Sequence, residues 1–261
     1  ALYERRIKDE ERREAAASRL TGDRTGAGVK NADIIIEAVA ENLETKKTVF
    51  SAVEAAAKPN AILATNTSSI QIEDIARGLK APERLIGLHF FNPVPVLPLV
   101  EVIAGKQSDK RFLDRAMYFS GQMKKMPVRC KSTKGFLVNR ALLPYLFKGI
   151  AEMVAGTSTD KIDEALVRFG MPMGPIELAD QVGLDVCRDV GLVLGMPDAA
   201  AQALEDKISA GTLGRKTGSG FYKWDGKKAI RPRASYDTAE LQALAETLLA
   251  PMVEKCRTAV S

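Results

Sequence analysis

The sequence predicts an α/β protein, with a doubly wound, largely parallel sheet followed by an all-helical part. Short β-branched runs alternate with helix-period segments as far as residue 130, which is typical of strands joined by crossover helices. After residue 132 only helical periods remain. With 261 residues and a 46% hydrophobic composition, the chain is long enough to bury a large core and to form two units.

The α/β part contains five predicted strands separated by helices. The first strand, "ADIIIEAV", is rich in β-branched residues, as a strand buried on both faces requires. The predicted strands are residues 32–39, 61–66, 84–91, 98–105 and 126–130. The predicted helices are residues 2–20, which are strongly charged, and residues 43–57, 69–79 and 109–123.

The helical part begins with "FLVNRALLPYLFKGIAEMV", residues 136–154, whose apolar residues recur at helical spacing. Further helices are predicted at residues 159–169, 175–195, 198–209 and 237–258. Pro175 fits the first turn of its helix. The Gly-rich stretch "GTLGRKTGSGFYKW", residues 211–224, is predicted to be a flexible loop.

Composition excludes several classes of protein. The net charge is +5 with both signs interspersed, and we find no basic-aromatic block of the kind that binds nucleic acid. Cys130, Cys187 and Cys256 are far apart, which favours a reducing compartment and argues against disulfides or a structural metal site. No apolar run reaches transmembrane length, and the charged residues 1–20 differ from a signal peptide.

Polar residues follow three of the predicted strands at the carboxyl end, where open α/β sheets bind ligands. They are Glu41-Asn42 after the first strand, Asn66 to Ser69 after the second, and His89 and Asn92 at the third. Turns and helix caps alone also favour Asn and Ser at strand ends. The three groups together, which include the single histidine of the chain, favour a pocket.

His89 and Glu101 are predicted to form a pair. If the fourth strand folds back on the third through "NPVPVLP", Pro95 is the centre of the loop, and the two residues lie six positions to either side of it. Antiparallel pairing then sets them opposite each other, with Cβ atoms roughly 5 Å apart. The carboxylate can fix the imidazole tautomer and leave the other nitrogen to act as a base. The alternative is a strand histidine with a chance partner.

The residues around this pair resemble the signature of the 3-hydroxyacyl-CoA dehydrogenases. The resemblance starts from "HFFNPV…PLVEV" and continues through "DIIIEAVAENLETKK", "ATNTSSI", "GFLVNR", "FGMPMGPIELAD" and "GRKTGSGFY". It extends over about residues 1–224. It implies a Rossmann-type domain and a helical, usually dimerising domain. It also implies oxidation of an L-3-hydroxyacyl-CoA to the 3-ketoacyl-CoA in fatty-acid β-oxidation, with hydride transfer to the cofactor NAD.

The resemblance also implies residue roles. His89 matches the catalytic base and Glu101 its orienting acid, while Ser68 and Asn139 match residues near the substrate hydroxyl and carbonyl. Lys216, in the Gly-rich stretch, is a weaker candidate for a phosphate contact. The residues that match the cofactor-binding set are Val39, Ala40, Glu41, Lys46, Ser68 and Asn92.

The sequence departs from the family pattern at its start. That pattern opens with a strand, a G-x-G-x-x-G turn and a helix, for which these 261 residues hold no counterpart. The G-x-G in "TGAGVKNAD" (residues 25–33) is followed by a strand, so it predicts a turn and not a phosphate loop. Because the missing unit anchors the pyrophosphate, we expect a partial Rossmann-type sheet, weak NAD binding and a truncated, inactive fragment.

Residues 225–261 extend past the usual end of single-function members and resemble the start of a second helical repeat, as in the multifunctional fatty acid oxidation complex alpha subunits. The chain is therefore expected to be a fragment of such a protein. Three domains are predicted: an incomplete NAD-binding domain (1–130), a helical C-terminal dehydrogenase domain (131–224) and the start of that repeat (225–261).

The expected partners are an acyl-CoA substrate and either a second copy bound through the helical domain or a thiolase subunit of the full complex. A bacterial cytoplasm is the favoured location, with peroxisomes and mitochondria left open. Two other functions are kept as alternatives. One is an NAD-dependent oxidoreductase of another β-hydroxy acid, and the other is a non-catalytic interaction or structural relative.

Overall fold

A mixed five-stranded sheet flanked by helices is followed along the chain by a group of helices and a small hairpin. This computed structural model describes residues 7–232 and 234–260. The predicted fold class, a Rossmann-type α/β sheet followed by a helical domain, is confirmed.

The first part of the chain alternates strands and helices in the predicted order. Its strands are β1 (Ile34–Glu37), β2 (Ile62–Thr65), β3 (Leu85–Phe90), β4 (Leu99–Ala104) and β5 (Met126–Lys131). Its helices are α1 (Glu10–Ala17), α2 (Leu43–Ala56), α3 (Ile72–Ala76) and α4 (Lys110–Gln122). Helix α1 is shorter than the predicted 2–20, of which residues 1–6 lie outside the described part.

The strands are ordered β1-β2-β3-β4-β5, and the first three are parallel as predicted. Strand β4 is antiparallel to β3, and β5 is parallel to β4. The prediction of a parallel sheet is therefore wrong for β5, which runs opposite to β1–β3. The cause is the short connection between β3 and β4. It has no room for a crossover helix, so it reverses the chain, and α4 then carries β5 parallel to β4.

Successive strand residues pack on opposite faces of the sheet, each against its own helices. The face covered by α2 and α3 contains Leu63, Leu85 and Ile103. The face covered by α4 contains Ala64, Leu88 and Val102. His89 follows Leu88, so its side chain lies on the α2 and α3 side, near the carboxyl end of β3.

The helical part contains six helices and one hairpin within the described ranges. These elements are α5 (Val138–Val154), α6 (Thr159–Phe169), α7 (Pro175–Val182), α8 (Leu184–Leu194), α9 (Asp198–Ser209), β6 (Lys223–Asp225), β7 (Lys228–Ile230) and α10 (Thr238–Val260). The predicted single helix at 175–195 is two helices, because Gly183, with φ +105°, breaks the helical path. Throughout residues 7–232 and 234–260, no helix is both long and apolar enough to span a bilayer.

The Gly-rich stretch 211–224 is packed in place and not a flexible loop. The buried Asp180 carboxylate accepts hydrogen bonds from the backbone N–H groups of Phe221 and Tyr222 and from the indole N–H of Trp224, each at 2.9 Å. Gly214 and Gly220 lie against Asp180 so closely that a Cβ atom at either position would collide with it. Gly220 therefore allows close approach to the buried carboxylate of Asp180, and Gly214 allows close approach to the backbone of the same residue.

A second buried carboxylate, Asp163, organises the same region. It accepts hydrogen bonds from the N–H groups of Ile176 and Glu177 in the first turn of α7, each at 2.9 Å. It also accepts the hydroxyl of Tyr222 at 2.9 Å, which ties the hairpin region to α6 and α7. The helical core is thus held by hydrogen bonds to two buried carboxyl groups as well as by apolar packing.

Candidate active site

The carboxyl ends of β1, β2 and β3 meet at one edge of the sheet, and most of the predicted site residues lie there. The Asn66 side chain, just after β2, accepts the N–H of Phe90 at 2.9 Å and thereby fixes the end of β3. Residues 67–69, after β2, are held next to residues 37–41, after β1, by the hydrogen bonds described below. The edge is therefore a connected polar surface.

The predicted pairing of His89 with Glu101 is confirmed. The two residues are direct partners in the β3–β4 register, and His89 Nδ1 lies 2.7 Å from Glu101 Oε2. Both side chains are buried, Glu101 completely and His89 with 7% of its surface exposed. Because Nδ1 is bound to the carboxylate, Nε2 is the ring nitrogen that Glu101 does not engage.

The second oxygen of Glu101 binds the beginning of helix α5. Its Oε1 accepts the N–H groups of Leu137 at 2.9 Å and Val138 at 2.8 Å. These are orphan donors at a helix N-terminus, whose partial positive charge suits a carboxylate. Asn139 is in the first turn of the same helix, so Glu101 connects the helix that carries Asn139 to the strand that carries His89.

Two aromatic rings enclose the imidazole. The ring centroid of Phe91 lies 4.6 Å from that of His89, and the centroid of Phe136 lies 5.8 Å away, both in tilted geometry. Phe136 is buried in the core on the α2 and α3 face. The histidine therefore lies beside two aromatic rings with the Glu101 carboxylate bound to its Nδ1, and these apolar neighbours strengthen the hydrogen bond to Glu101.

Lys46 is buried in a charge cluster under the same edge. Its Nζ is 2.8 Å and 3.1 Å from the two carboxylate oxygens of Glu37 and 3.3 Å from Glu41. Thr65 Oγ1 donates to Glu37 at 2.7 Å. Glu37 was not among the predicted site residues, although an acid that directly follows the apolar run "III" within a strand is a signal that could have identified it.

Glu41 organises the loop that carries Ser68. Its Oε1 accepts the Thr67 hydroxyl at 2.5 Å and the N–H groups of Ser68 at 3.0 Å and Ser69 at 3.1 Å. Burial opposes ionisation, but the Thr67 hydrogen bond and the charge of Lys46 outweigh it and hold the pKa of the Glu41 carboxyl below its ordinary value. Glu41 is therefore an anion that holds the loop in place.

The remaining predicted cofactor residues, Val39, Ala40 and Asn92, are exposed at the same edge. Val39 and Ala40 follow β1, and Asn92 follows β3. Their roles, and the prediction that Ser68, His89 and Asn139 line one cleft, remain predictions.

The G-x-G segment near the start is a closed turn, as predicted. One oxygen of Asp23 accepts the N–H groups of Thr25 at 3.1 Å and Gly26 at 2.9 Å, and the other accepts that of Gly28 at 2.7 Å. These bonds, led by the one from Gly28, lower the pKa of the Asp23 carboxyl. The donors that a phosphate loop offers to its ligand are used here by the turn's own carboxylate.

The surroundings of two further side chains, Lys216 and Cys130, bear on what they can do. Lys216 Nζ is 2.6 Å from Asp185 Oδ1 at the beginning of α8, and its proposed phosphate contact remains a prediction. Cys130 lies on β5, and burial together with the charge of Glu101 raises the pKa of its thiol to about 12. That thiol stays protonated at neutral pH, so it is not a nucleophile.

A Rossmann-type sheet with a buried histidine–glutamate pair at its edge and a helical part bound to the same glutamate defines a two-part α/β dehydrogenase. Residues 1–133 match the 3-hydroxyacyl-CoA dehydrogenase NAD binding domain, and residues 135–224 match the C-terminal domain of the same family. The chain belongs to the 3-hydroxyacyl-CoA dehydrogenase family. The predicted family and its cofactor, NAD, are thereby confirmed.

Known proteins are also similar to this chain in sequence. The fatty acid oxidation complex subunit alpha of Pseudomonas putida strain GB-1 is 42% identical over 221 residues, which are 82% of this chain and 31% of that protein. The chain therefore spans about a third of the length of this curated relative.

Two solved structures are similar along most of the chain. The (S)-3-hydroxybutyryl-CoA dehydrogenase of Ralstonia eutropha has a TM-score of 0.79 and 35% identity, with 85% of this chain and 83% of that chain covered. The dehydrogenase part of multifunctional enzyme 1 from C. elegans has a TM-score of 0.69 and 28% identity, with 97% of this chain and 61% of that chain covered.

Proposed function

We propose that the chain oxidises the 3-hydroxyl of an L-3-hydroxyacyl-CoA to a ketone, with NAD as the hydride acceptor. The observation that carries this proposal is the 2.7 Å hydrogen bond between His89 and the fully buried Glu101 at the sheet edge. An alcohol loses a proton as well as a hydride when it becomes a ketone, so the reaction needs a base at this position.

In this mechanism His89 Nε2 takes the proton of the substrate hydroxyl while Nδ1 stays bound to Glu101. The imidazolium that forms is stabilised by the carboxylate, which also fixes the ring orientation beforehand. Ser68 donates a hydrogen bond to the reacting oxygen, and the Asn139 amide orients the thioester carbonyl. Both side chains are half-buried, which leaves them partly open to a ligand.

NAD held at this edge would supply the hydride acceptor for the substrate carbon that carries the hydroxyl. Exposed Val39 and Ala40 and the polar side chains of Ser68 and Asn92 fit the nicotinamide half of the cofactor, because they combine an apolar surface with hydrogen-bonding groups. Lys46 is only 1% exposed, and its Nζ binds Glu37. Its effect on this edge of the sheet is therefore electrostatic and comes from its buried positive charge.

The direct test is reduction of acetoacetyl-CoA by NADH, followed through NADH absorbance, with free acetoacetate as the matched substrate that lacks CoA. We expect turnover of the CoA ester alone, slow because NAD binding is predicted to be weak, and its loss in His89→Ala. No turnover at all would agree with the sequence-based prediction of an inactive fragment and would contradict the proposal. Equal turnover of free acetoacetate would favour the alternative, an oxidoreductase of another β-hydroxy acid. Isothermal titration with NADH separates a failure to bind cofactor from a failure of the chemistry.

The partner we propose is a second copy of the chain, bound through the helical part. A groove there between α6 and α10 is apolar, and Phe169 (57% exposed) and Val253 (44% exposed) lie on it, as a buried contact between copies requires. Light scattering should give a dimer, and Phe169→Glu should give a monomer. A monomeric native chain that binds a thiolase subunit would favour the other partner.

A bacterial cytoplasm is the location we propose, on the strength of the Pseudomonas relatives. The test is fractionation of the native source into cytoplasmic and periplasmic extracts with an antibody to the helical part. Recovery in the periplasm would contradict it.

A further inference from the structure

Phe136 has a backbone conformation that its residue type rarely adopts. Its φ is +50°, and it follows Gly135 at φ +74°, so two successive residues occupy the left-handed region. A side chain there is strained unless surrounding contacts hold it. Phe136 is 1% exposed, and it lies where the chain passes from β5 into helix α5. A large, buried side chain at a position with this strained backbone indicates that both its ring and its backbone are used.

The ring of Phe136 connects the sheet core to the imidazole. It packs in the cluster that contains Leu63, Leu85 and Ile103, and its centroid is 5.8 Å from that of His89. The ring therefore lies between the interior of the sheet and one side of the histidine, and it keeps water from that side.

The backbone of Phe136 determines where the next two N–H groups point. The N–H of Phe136 donates to Thr133 O at 2.9 Å and closes the turn. The following N–H groups, of Leu137 and Val138, both reach Glu101 Oε1. A right-handed residue at position 136 would turn these two donors in another direction. One residue thus touches both members of the pair, His89 through its ring and Glu101 through the peptide groups that follow it.

We propose that Phe136 is a positioning residue that holds the His89–Glu101 pair in its bonded, water-free geometry. The inference deepens the proposed oxidation and rests on it for its kinetic consequence. Its structural content, the protection of the bond between His89 Nδ1 and Glu101, stands independently of turnover.

The single histidine of the chain gives this proposal a clear signal. In the full chain labelled with ¹⁵N, the proton on Nδ1 and the ring protons of His89 are the only imidazole signals. Nuclear Overhauser contacts between the Phe136 ring and the His89 ring protons are expected in the unaltered protein. Their absence would overturn the proposal without any variant being made.

The variants are Phe136→Leu, which removes the ring, Phe136→Tyr, which keeps it, and Phe50→Leu as the matched control. Phe50 is fully buried in the same cluster, and no ring contact joins it to His89 among the described residues. We expect exchange of the Nδ1 proton with water to be at least tenfold faster in Phe136→Leu, and the amide protons of Leu137 and Val138 to lose protection with it. Phe50→Leu and Phe136→Tyr should leave exchange within about threefold of the native rate, a change of less than 1 kcal/mol in opening free energy.

Native-like exchange in a folded Phe136→Leu would overturn the proposal, and so would equal acceleration in Phe50→Leu, which indicates general loosening of the core. For acetoacetyl-CoA reduction, Phe136→Leu should lower kcat with little change in KM. If the native chain turns over no CoA ester, the proposed function fails while the exchange result still decides the role of Phe136.

Discussion

Glu101 in the sheet part and Asp180 in the helical part are built alike. Each is fully buried, and each carboxylate accepts two backbone N–H groups and one ring nitrogen. The third partner differs: Glu101 binds the imidazole of His89, whereas Asp180 binds the indole of Trp224. An indole only donates, but an imidazole can gain and lose a proton near neutral pH. The same arrangement therefore fixes a loop in one place and the imidazole of His89, the proposed base, in the other.

Location separates the two carboxylates as well. Asp180 holds the hairpin region inside a closed helical core, while Glu101 lies at the sheet edge beside half-buried polar loops. The comparison shows that a buried, fully bonded carboxylate does not by itself indicate a catalytic site. A titratable partner at an open edge is the additional feature, and the variants below test that distinction.

His89→Ala should give the largest effect on activity. Loss of a general base typically lowers turnover by about 10²–10⁴, and we expect a loss of roughly 10³-fold in acetoacetyl-CoA reduction. The free energy of unfolding should fall by only about 1–2 kcal/mol, because Glu101 keeps its two backbone donors. Steady-state kinetics and urea unfolding measure the two quantities. A loss below tenfold would contradict the assignment of His89 as the base.

Asp180→Ala should give the converse result. Two buried donors and one half-buried donor would lose their acceptor, at about 1–3 kcal/mol each, so we expect the free energy of unfolding to fall by roughly 3–9 kcal/mol. Turnover per folded molecule should be unchanged. The matched control is Asp206→Ala, an exposed aspartate on α9, which should change stability by less than about 0.5 kcal/mol. If Asp180→Ala instead lowered turnover strongly and left stability native, the conclusion that Asp180 is structural while Glu101 belongs to the site would be wrong.

The other helical carboxylate, Asp163, predicts a pH dependence. Burial raises the pKa of its carboxyl to about 6, while the charge of Arg231 and the hydrogen bonds from α7 and Tyr222 oppose that rise. The folded state then holds the proton more tightly than the unfolded chain. Its contribution to stability is therefore complete below the unfolded pKa of about 3.9 and is lost as pH rises through about 6.

A shift of this size corresponds to at most roughly 3 kcal/mol between pH 4 and pH 7. Urea unfolding of the native chain and of Asp163→Asn across that range gives the difference, since other groups titrate alike in both. The native chain should lose stability with rising pH relative to the variant. Parallel curves would show that Asp163 is already ionised in the folded state throughout this range.

The pairing of His89 with Glu101 was predictable because it depends on local information. The connection between their strands is short and centred on Pro95, so the register follows from counting positions. The break at Gly183 and the β6–β7 hairpin were not predicted, although Asp225-Gly226 is a common turn pair. The helical period on either side of Gly183 continues in phase, and the two strands of the hairpin have only three residues each.

Contacts that depend on the tertiary structure could not be predicted from the sequence. The ring of Phe136 contacts His89 from a residue with a positive φ angle, which residue types other than glycine do not signal. Lys46 was predicted to reach the cofactor, but nothing local indicates that Glu37, nine positions earlier and across the strand end, binds its Nζ. Sequence patterns gave the elements and the motifs, while partners distant in sequence required the fold.

The smallest expected effect separates two adjacent serines that share one carboxylate. The hydroxyl of Ser69 donates to Glu41 Oε1 at 3.1 Å, whereas that of Ser68 is 3.4 Å from the same oxygen, near the limit of a hydrogen bond. Little free energy is therefore needed to redirect the Ser68 hydroxyl toward a substrate oxygen, while the hydroxyl of Ser69 holds the loop.

We expect Ser68→Ala to lower kcat/KM by about tenfold, or about 1.4 kcal/mol, with stability unchanged. Ser69→Ala should instead lower stability by about 1 kcal/mol with native kcat/KM, because Glu41 loses a donor. If the two variants behave alike, the loop acts as a unit and Ser68 has no separate role at the reacting oxygen.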